Sequence, residues 1–403
     1  MVKTNWVVIF LVLLIAACNP NNKHDDVLSN EFKIINPQFI KSAKLSELID
    51  SKITYKTLQS DSNNQLGEIE KLIFKKDNIY ALDSHYALKL LRFNSDGKLL
   101  NVIGKVGEGI GEYENLTEAY INDSIIEIID RDNFSRLKYN FNGEFIKEER
   151  IDFYISQAMP FGNNRRIFYS PTDYTISGNE SEGVLMITNS DYDRVLKAYF
   201  PYEEVFDDAS LPGFLIGENL EFTYVKPGLG EFYKIDSTMN VKPYFKIDFG
   251  PYKWPLSKEQ IQADQENSEK VFFKGNVMSL VHRLSETDNY LTFLTVMCSP
   301  EEEAKQLDLI KHRWFCIYDK RKVKLYIIKK IINDIDGGLF ANPIVGTGNT
   351  FTGVLSPEEL IDYFKEESAK DNASKDLKKL VDSLTFSSNP VLMQYSLKDN
   401  IIL

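Results

Sequence analysis

Short apolar runs alternate with polar punctuation along most of this chain, and their spacing repeats. Residues 78–103 (NIYALDSHYALKLLRFNSDGKLLNVI) and 124–146 (SIIEIIDRDNFSRLKYNFNGEFI) share one grammar. In each, a short apolar strand ends in Asp (Asp83, Asp130), a loop follows, and an alternating strand runs to a tight turn closed by Gly97 or Gly143. Asp83 and Asp130 stand 47 positions apart. Asp96-Gly97 and Asn142-Gly143 are hairpin signals, because these residue types tolerate positive φ in a two-residue turn. A preceding strand (Ile69–Phe74, Glu118–Ile121) makes four strands per unit. Four antiparallel strands repeated every roughly 40 to 50 residues predict propeller blades.

Later units diverge but keep the order. The third is carried by Arg166–Tyr169, Val184–Thr188 and Leu196–Phe200, and the fourth by Leu220–Val225, Glu231–Ile235 and Tyr244–Phe249. The fifth has Val277–Arg283, Tyr290–Met297, Trp314–Tyr318 and Val323–Ile328. A sixth has three strands, Pro343–Gly346, Phe351–Leu355 and Val391–Leu397, and its fourth is expected from Ile53–Leu58. That arrangement closes a ring and leaves no open edge for other chains to pair with. The expected fold is therefore all-β, a six-bladed β-propeller over residues 32–403 with helical insertions on one face. Turns between first and second, and third and fourth, strands are short. The remaining connections hold the long segments 104–117, 171–183, 250–275, 299–312, 331–342 and 356–389. Long loops on a rigid scaffold are where sites usually lie.

The insertions carry helix starts. Ser299-Pro300-Glu301-Glu302 and Ser356-Pro357-Glu358-Glu359 are identical, and each predicts a capping box with Pro at the first helical position. Leu377, Leu380, Val381 and Leu384 give one apolar face of a further helix, and Ser257 with Gln260 opens another.

The N-terminus follows a different pattern. Lys3 precedes the uncharged apolar stretch Trp6–Ile15, which is followed by Ala16-Ala17-Cys18. The stretch is too short to span a bilayer, which needs roughly 20 residues, and small residues at its end mark a removed signal. With a cysteine in that place the pattern resembles the bacterial lipoprotein signal. Residues 1–18 are then a signal peptide, Cys18 the lipid-attachment residue and the membrane partner. Residues 19–31, polar and free of long apolar runs, read as a flexible tether. Lys23-His24-Asp25-Asp26 loosely resembles the acidic surface-export tag of Bacteroidetes lipoproteins, or is a solvated linker. The expected location is the cell envelope, at the outer membrane, with orientation open.

The chain carries 47 Lys and Arg against 59 Asp and Glu. Loss of the signal removes Lys3 and makes the balance more acidic. With no basic stripe, nucleic acid and anionic lipid are poor partners. Cys298 and Cys316 remain after Cys18, and two readings stand: a disulfide, or two buried thiols.

The chain resembles the six-bladed β-propeller lipoproteins of Bacteroidetes, which are NHL-like. The residues that carry the resemblance are Phe93 to Gly97, Ile103-Gly104-Lys105, Gly107-Glu108-Gly109-Ile110-Gly111-Glu112-Tyr113, Asn333 to Gly338, and Asn389-Pro390-Val391-Leu392. The family usually has Pro where Ile110 stands. The resemblance implies the fold and no settled reaction.

Catalytic motifs are weak. His85, His282 and His312 lie far apart, with no HxH or HExxH spacing. Asp334-Ile335-Asp336-Gly337 begins like a calcium loop but lacks the downstream Glu. The glycines of 107–111 have no strand-to-helix context, and no serine sits in GxSxG. Neither metal, cofactor nor catalytic residue is assigned. The preferred expectation is a monomeric, non-catalytic propeller binding a glycan, peptide or protein through His85, Tyr86, Tyr113, Arg131, Asp334 and Asp336. The other reading is a metal-assisted hydrolase or lyase of the NHL-like type.

Overall fold

The computed structural model describes residues 31–403 apart from 60, 163, 173–174, 179–182, 202–213, 219, 227–229, 254–276 and 299–312. Within it the chain forms six antiparallel four-stranded blades in a ring. Blade 1 comprises Lys71–Lys75, Asn78–Asp83, Lys89–Asn94 and Leu99–Ile103, and blade 2 Leu116–Ile121, Ile126–Asp130, Ser135–Tyr139 and Phe145–Arg150. Blade 3 adds Gln157–Pro160 as inner strand to Arg165–Tyr169, Leu185–Asn189 and Val195–Tyr199. Blade 4 similarly adds Phe214–Glu218 to Glu221–Lys226, Glu231–Ile235 and Val241–Ile247. Neither of these inner strands is expected from the pattern: Gln157–Pro160 is only four residues long, and Phe214–Glu218, apolar at its start, carries Gly217 within it. Blade 5 has Val277–Glu286, Tyr290–Cys298, Arg313–Asp319 and Lys324–Ile328.

Blade 6 is built as expected. Pro343–Thr347, Thr350–Leu355 and Val391–Ser396 are completed by Thr54–Thr57, with Val391 opposite Thr57 and Met393 opposite Tyr55. The first strand of each blade lies innermost and touches the first strands of its neighbours, so the ring closes on itself. The N-terminal segment also wraps the rim. Lys33–Ile35 pairs in parallel with the outer strand of blade 4, Gln38–Ile40 with that of blade 5, and Ala43–Lys44 with Ile331–Ile332.

Each blade has two faces, and each face packs on a neighbour. Alternating side chains are therefore buried on both sides, which explains strands that read as nearly continuous apolar runs. Six buried clusters result, one per interface. Tyr80, Leu90, Tyr113 and Leu137 fill the seam between blades 1 and 2. Phe93, Leu72 and Leu392 fill the closing seam between blades 6 and 1. The helices Pro357–Tyr363 and Lys375–Asp382 bury Leu360, Leu377 and Val381 in the seam of blades 5 and 6, and Leu380 and Leu384 pack beside them.

The hairpin turns close where the sequence places them, with Gly97 and Gly143 at φ +84° and +82°. Each is a three-residue loop and not the expected two-residue turn: Asn94 N donates to the Lys98 carbonyl and Gly97 N to the Asn94 carbonyl, Asn140 and Gly143 repeat this with Glu144, and Asp96 and Asn142 do not take positive φ. In the same turns Asn94 Oδ1 accepts from the amides of Asp96 and Lys98, and Asn140 Oδ1 from those of Asn142 and Glu144.

Two further expectations are corrected. Pro357 opens its helix, but the Ser356 hydroxyl makes no capping bond; Ser374 does so for the later helix, accepting from Leu377 N at 3.2 Å. Cys316 is a buried free thiol lying opposite Phe293. Cys298 stands five positions farther along that strand, roughly 17 Å by strand rise, well beyond the roughly 7 Å that a disulfide tolerates between Cα atoms. Flanking the same insertion does not place two cysteines in register. Cys18, the tether, the helix at Ser257, the first SPEE segment and His312 lie outside the described residues.

Candidate functional site

The repeated Asp residues organise the face that carries the long connections. Asp83, fully buried at the end of its strand, accepts hydrogen bonds from five backbone amides. Gly67 (2.6 Å) and Glu68 (3.2 Å) donate from the connection entering blade 1. Tyr86 (2.8 Å), Ala87 (3.0 Å) and His85 (3.3 Å) donate from the loop between its second and third strands. Asp130 repeats the arrangement in blade 2, accepting from Glu114, Asn115, Asp132 and Asn133. In blades 1 and 2 one carboxylate thus fastens two loops to each other. An ionised acceptor makes stronger bonds than a neutral one.

The expected ligand residues divide into three groups. His85 and Tyr86 are displayed. Tyr86 is 73% exposed and sits directly over Gly67, where an added Cβ would lie 2.8 Å from the Tyr86 Cβ. His85 is exposed and its Nδ1 lies 2.8 Å from Glu70 Oε1, leaving Nε2 toward solvent. Burial raises the Glu70 carboxyl above its usual range, against hydrogen bonds from Ser84 and His85 that lower it. Arg131 is half-buried, its guanidinium 5.5 Å from the centre of the Tyr154 ring.

Tyr113 is different: it is fully buried, and its hydroxyl donates to the Leu88 carbonyl at 2.9 Å. It cannot meet a ligand and instead ties the 104–113 connection to the His85 loop.

Asp334 and Asp336 are committed internally. Asp334 accepts from the Ser46 amide and hydroxyl, at 2.9 and 2.6 Å. Asp336 accepts from the Tyr55 hydroxyl at 2.8 Å, Asn333 Nδ2 at 2.7 Å and Gly338 N at 3.1 Å. They lock the blade 5 to blade 6 connection to the N-terminal wrap and are not brought to His85. Among the described residues no three His, Cys, Asp or Glu side chains converge.

Charged groups the sequence reading missed lie along the inner strands and in the seams. Arg283 interrupts the register of its inner strand in a left-handed conformation (φ +72°) and reaches Glu68 at 3.4 Å. That pair joins blade 5 to the connection entering blade 1, past blade 6. Lys71 meets Glu118 at 2.8 Å between the inner strands of blades 1 and 2. Between blades 2 and 3, buried Glu127 takes Arg166 at 2.6 Å, Arg136 at 3.3 Å and the Tyr120 hydroxyl at 2.6 Å. Burial pushes the Tyr120 and Tyr192 hydroxyls up, so both stay neutral. The sequence offered no signal for this network, because alternating charges such as those of Ser135–Tyr139 ordinarily face solvent.

A family model described as a domain of unknown function, DUF4934, matches residues 32–396. The chain belongs to that family. Among solved structures, this DUF4934 propeller is similar to one from Bacteroides fragilis named as a candidate exported protein. The two share 17% identity at a TM-score of 0.73, over 91% of this chain and 100% of that one. It is also similar to a member of the DUF4221 family from Bacteroides vulgatus, with 8% identity and a TM-score of 0.53 over 87% and 97% of the two chains. At such identities both show the fold alone. No curated protein matches.

Proposed function

We propose that this DUF4934 chain is an exported envelope lipoprotein, anchored through Cys18, whose propeller binds a glycan, peptide or protein without catalysing a reaction. It would then stand with the NHL-like lipoproteins it resembles. The observation that carries the binding reading is the Asp83 clamp, a buried carboxylate whose five hydrogen bonds fasten the His85–Ala87 loop to the connection entering blade 1, with His85 and Tyr86 outward on the face of the long connections. Loops held in one conformation lose less entropy on binding. The naming of the similar Bacteroides fragilis protein as exported supports export.

Two measurements test the reading. Cys18→Ala should move the protein from the membrane to the soluble fraction. The purified mature chain should bind within a panel of envelope polysaccharides and cell-wall peptides, and His85→Ala, Tyr86→Ala or Arg131→Ala should weaken that binding. Loss produced instead by Lys98→Ala or Glu144→Ala, on the short-turn face, would reverse the assignment of faces.

A further inference from the structure

Among the described residues, Ile110 (93% exposed), Tyr86, Phe386 (63%) and Val106 stand exposed on connections of neighbouring blades on the long-connection face. They come from consecutive parts of the ring, and buried polar groups hold their connections together. Phe386 caps a turn in which the Ser388 hydroxyl accepts from Thr385 N at 3.0 Å. Three residues on, Asn389 is buried, its Oδ1 accepting from Leu66 N at 2.8 Å and its Nδ2 donating to the Gln59 carbonyl at 3.1 Å. The next residue, Gly67, lies under Tyr86 and donates to Asp83. Tyr113 then joins the Tyr86 loop to the Ile110 loop. That last loop closes around Glu112, which accepts from Gly109 N at 2.9 Å and pairs with Lys105 at 2.5 Å. Exposed apolar side chains scattered singly need no explanation. These are joined by one continuous polar framework.

We propose that these tips form a docking surface for a partner protein, one presenting an apolar recess bordered by Lys or Arg. This rests on the binding reading above and narrows it. Charge favours the partner named. Asp61, Glu108 and Glu114 are exposed on the same connections, while Lys105 is paired with Glu112 and Lys365, which lies over the Phe386 ring, with Asp362. An acidic border repels anionic lipid and steers a basic surface. The wrap agrees. Lys33–Ile35 runs parallel to the outer strand of blade 4 and so enters from the short-turn side. Blade 4 lies across the ring from blade 1. The described N-terminal segment thus approaches the ring from the side opposite Ile110.

The test uses full-length lipoprotein in cells, with the photo-crosslinker p-benzoylphenylalanine replacing Ile110 or Phe386, and replacing Asp96 on the short-turn face as a control. The expected result is one polypeptide captured from both tip positions and not from position 96. Once purified, that polypeptide should bind the wild-type chain, at least about tenfold more weakly with Ile110→Asp, and more weakly again as salt rises. Because Ile110 is exposed, Ile110→Asp should unfold at the wild-type temperature. The proposal is overturned by adducts to a second copy of this chain, by the absence of a common protein adduct, or by binding indifferent to Ile110→Asp and salt. Retention of the mature chain on phosphatidylethanolamine–phosphatidylglycerol vesicles through Ile110 would overturn it equally. Glycan binding lost in His85→Ala but kept in Ile110→Asp would leave the broader reading standing and remove this one. Adducts confined to position 96 would remove both.

Discussion

Replacing Asp83 by Ala tests whether the clamp is as important as its geometry implies. The carboxylate is fully buried and accepts from five amides at 2.6 to 3.3 Å. Hydrogen bonds to a charged group contribute about 1.5–3 kcal/mol each, and orphaned buried donors cost about 1–3 kcal/mol. The three longer bonds, from Glu68, His85 and Ala87, can be replaced by water once the carboxylate is gone. Counting only the two shortest bonds, from Gly67 and Tyr86, gives a loss of about 3–6 kcal/mol. Asp83→Asn keeps the shape and one acceptor oxygen but points an amide at donors, so about half that loss is expected. Urea unfolding reads both, as a lower midpoint at unchanged slope. Hydrogen exchange should rise at residues 67, 86 and 87 while the inner strands stay protected. A midpoint within about 0.5 kcal/mol of wild type, or unchanged exchange at those amides, would refute the clamp.

Three further outcomes follow from the same structure. Burial would raise the Glu149 carboxyl, but hydrogen bonds from Lys138 and Lys147 and the charge of Arg136 outweigh it and hold the group at about 2. Its folded pKa is depressed, so its contribution is complete above the ordinary 4.5 and disappears as pH falls toward 2; Glu149→Gln should flatten that part of the stability–pH curve. Tyr113→Phe removes one hydrogen bond to the Leu88 carbonyl and should lower stability by about 1 kcal/mol, with no loss of ligand affinity when the variant is titrated folded. Deleting residues 390–403 removes buried Val391, Leu392, Met393 and Tyr395 and leaves Thr54–Thr57 unpaired. At about 1.5–3 kcal/mol per side chain, the whole ring should lose its cooperative unfolding transition, visible by calorimetry.

The architecture was legible because its signals are local. An Asx-Gly pair marks a turn by local chemistry, so the turns at Asp96-Gly97 and Asn142-Gly143 could be located without knowing what the strands pack against, although each loop is one residue longer than expected. The three-strand sixth unit likewise declared its missing partner, since an open edge has to be closed. Features that depend on register or on facing were not legible. Cys298 and Cys316 share a hairpin, yet pairing is set by which residues oppose, and Phe293 took that place. The wrap at 33–40 pairs by backbone on a rim, which asks little of side-chain pattern. Glu127, Arg136 and Arg166 look like any solvated charges until a neighbouring blade covers them.

The same distinction separates the motif residues from the site. Asp83, Asp130, Tyr113 and Asn389 are the positions that made the chain look like a repeat or like its family, and all four are buried fasteners. Their chemistry is demanding, because each must satisfy specific backbone groups across a seam or between loops, and so they leave a recognisable pattern. The side chains they hold outward, those of His85, Tyr86 and Ile110, make few contacts inside the fold: His85 meets Ser84 and Glu70, and Tyr86 lies over Gly67. What they answer to lies outside the chain. Ile110 shows the consequence: the glycine-rich loop closes on Glu112 through Gly109 N, and the Ile110 side chain takes no part in that closure. Ile110→Pro should therefore keep the wild-type unfolding temperature and alter partner affinity alone. If it instead loosened the Gly109–Glu112 contact, raising exchange at Gly109, the tip would belong to the scaffold and the division drawn here would fail.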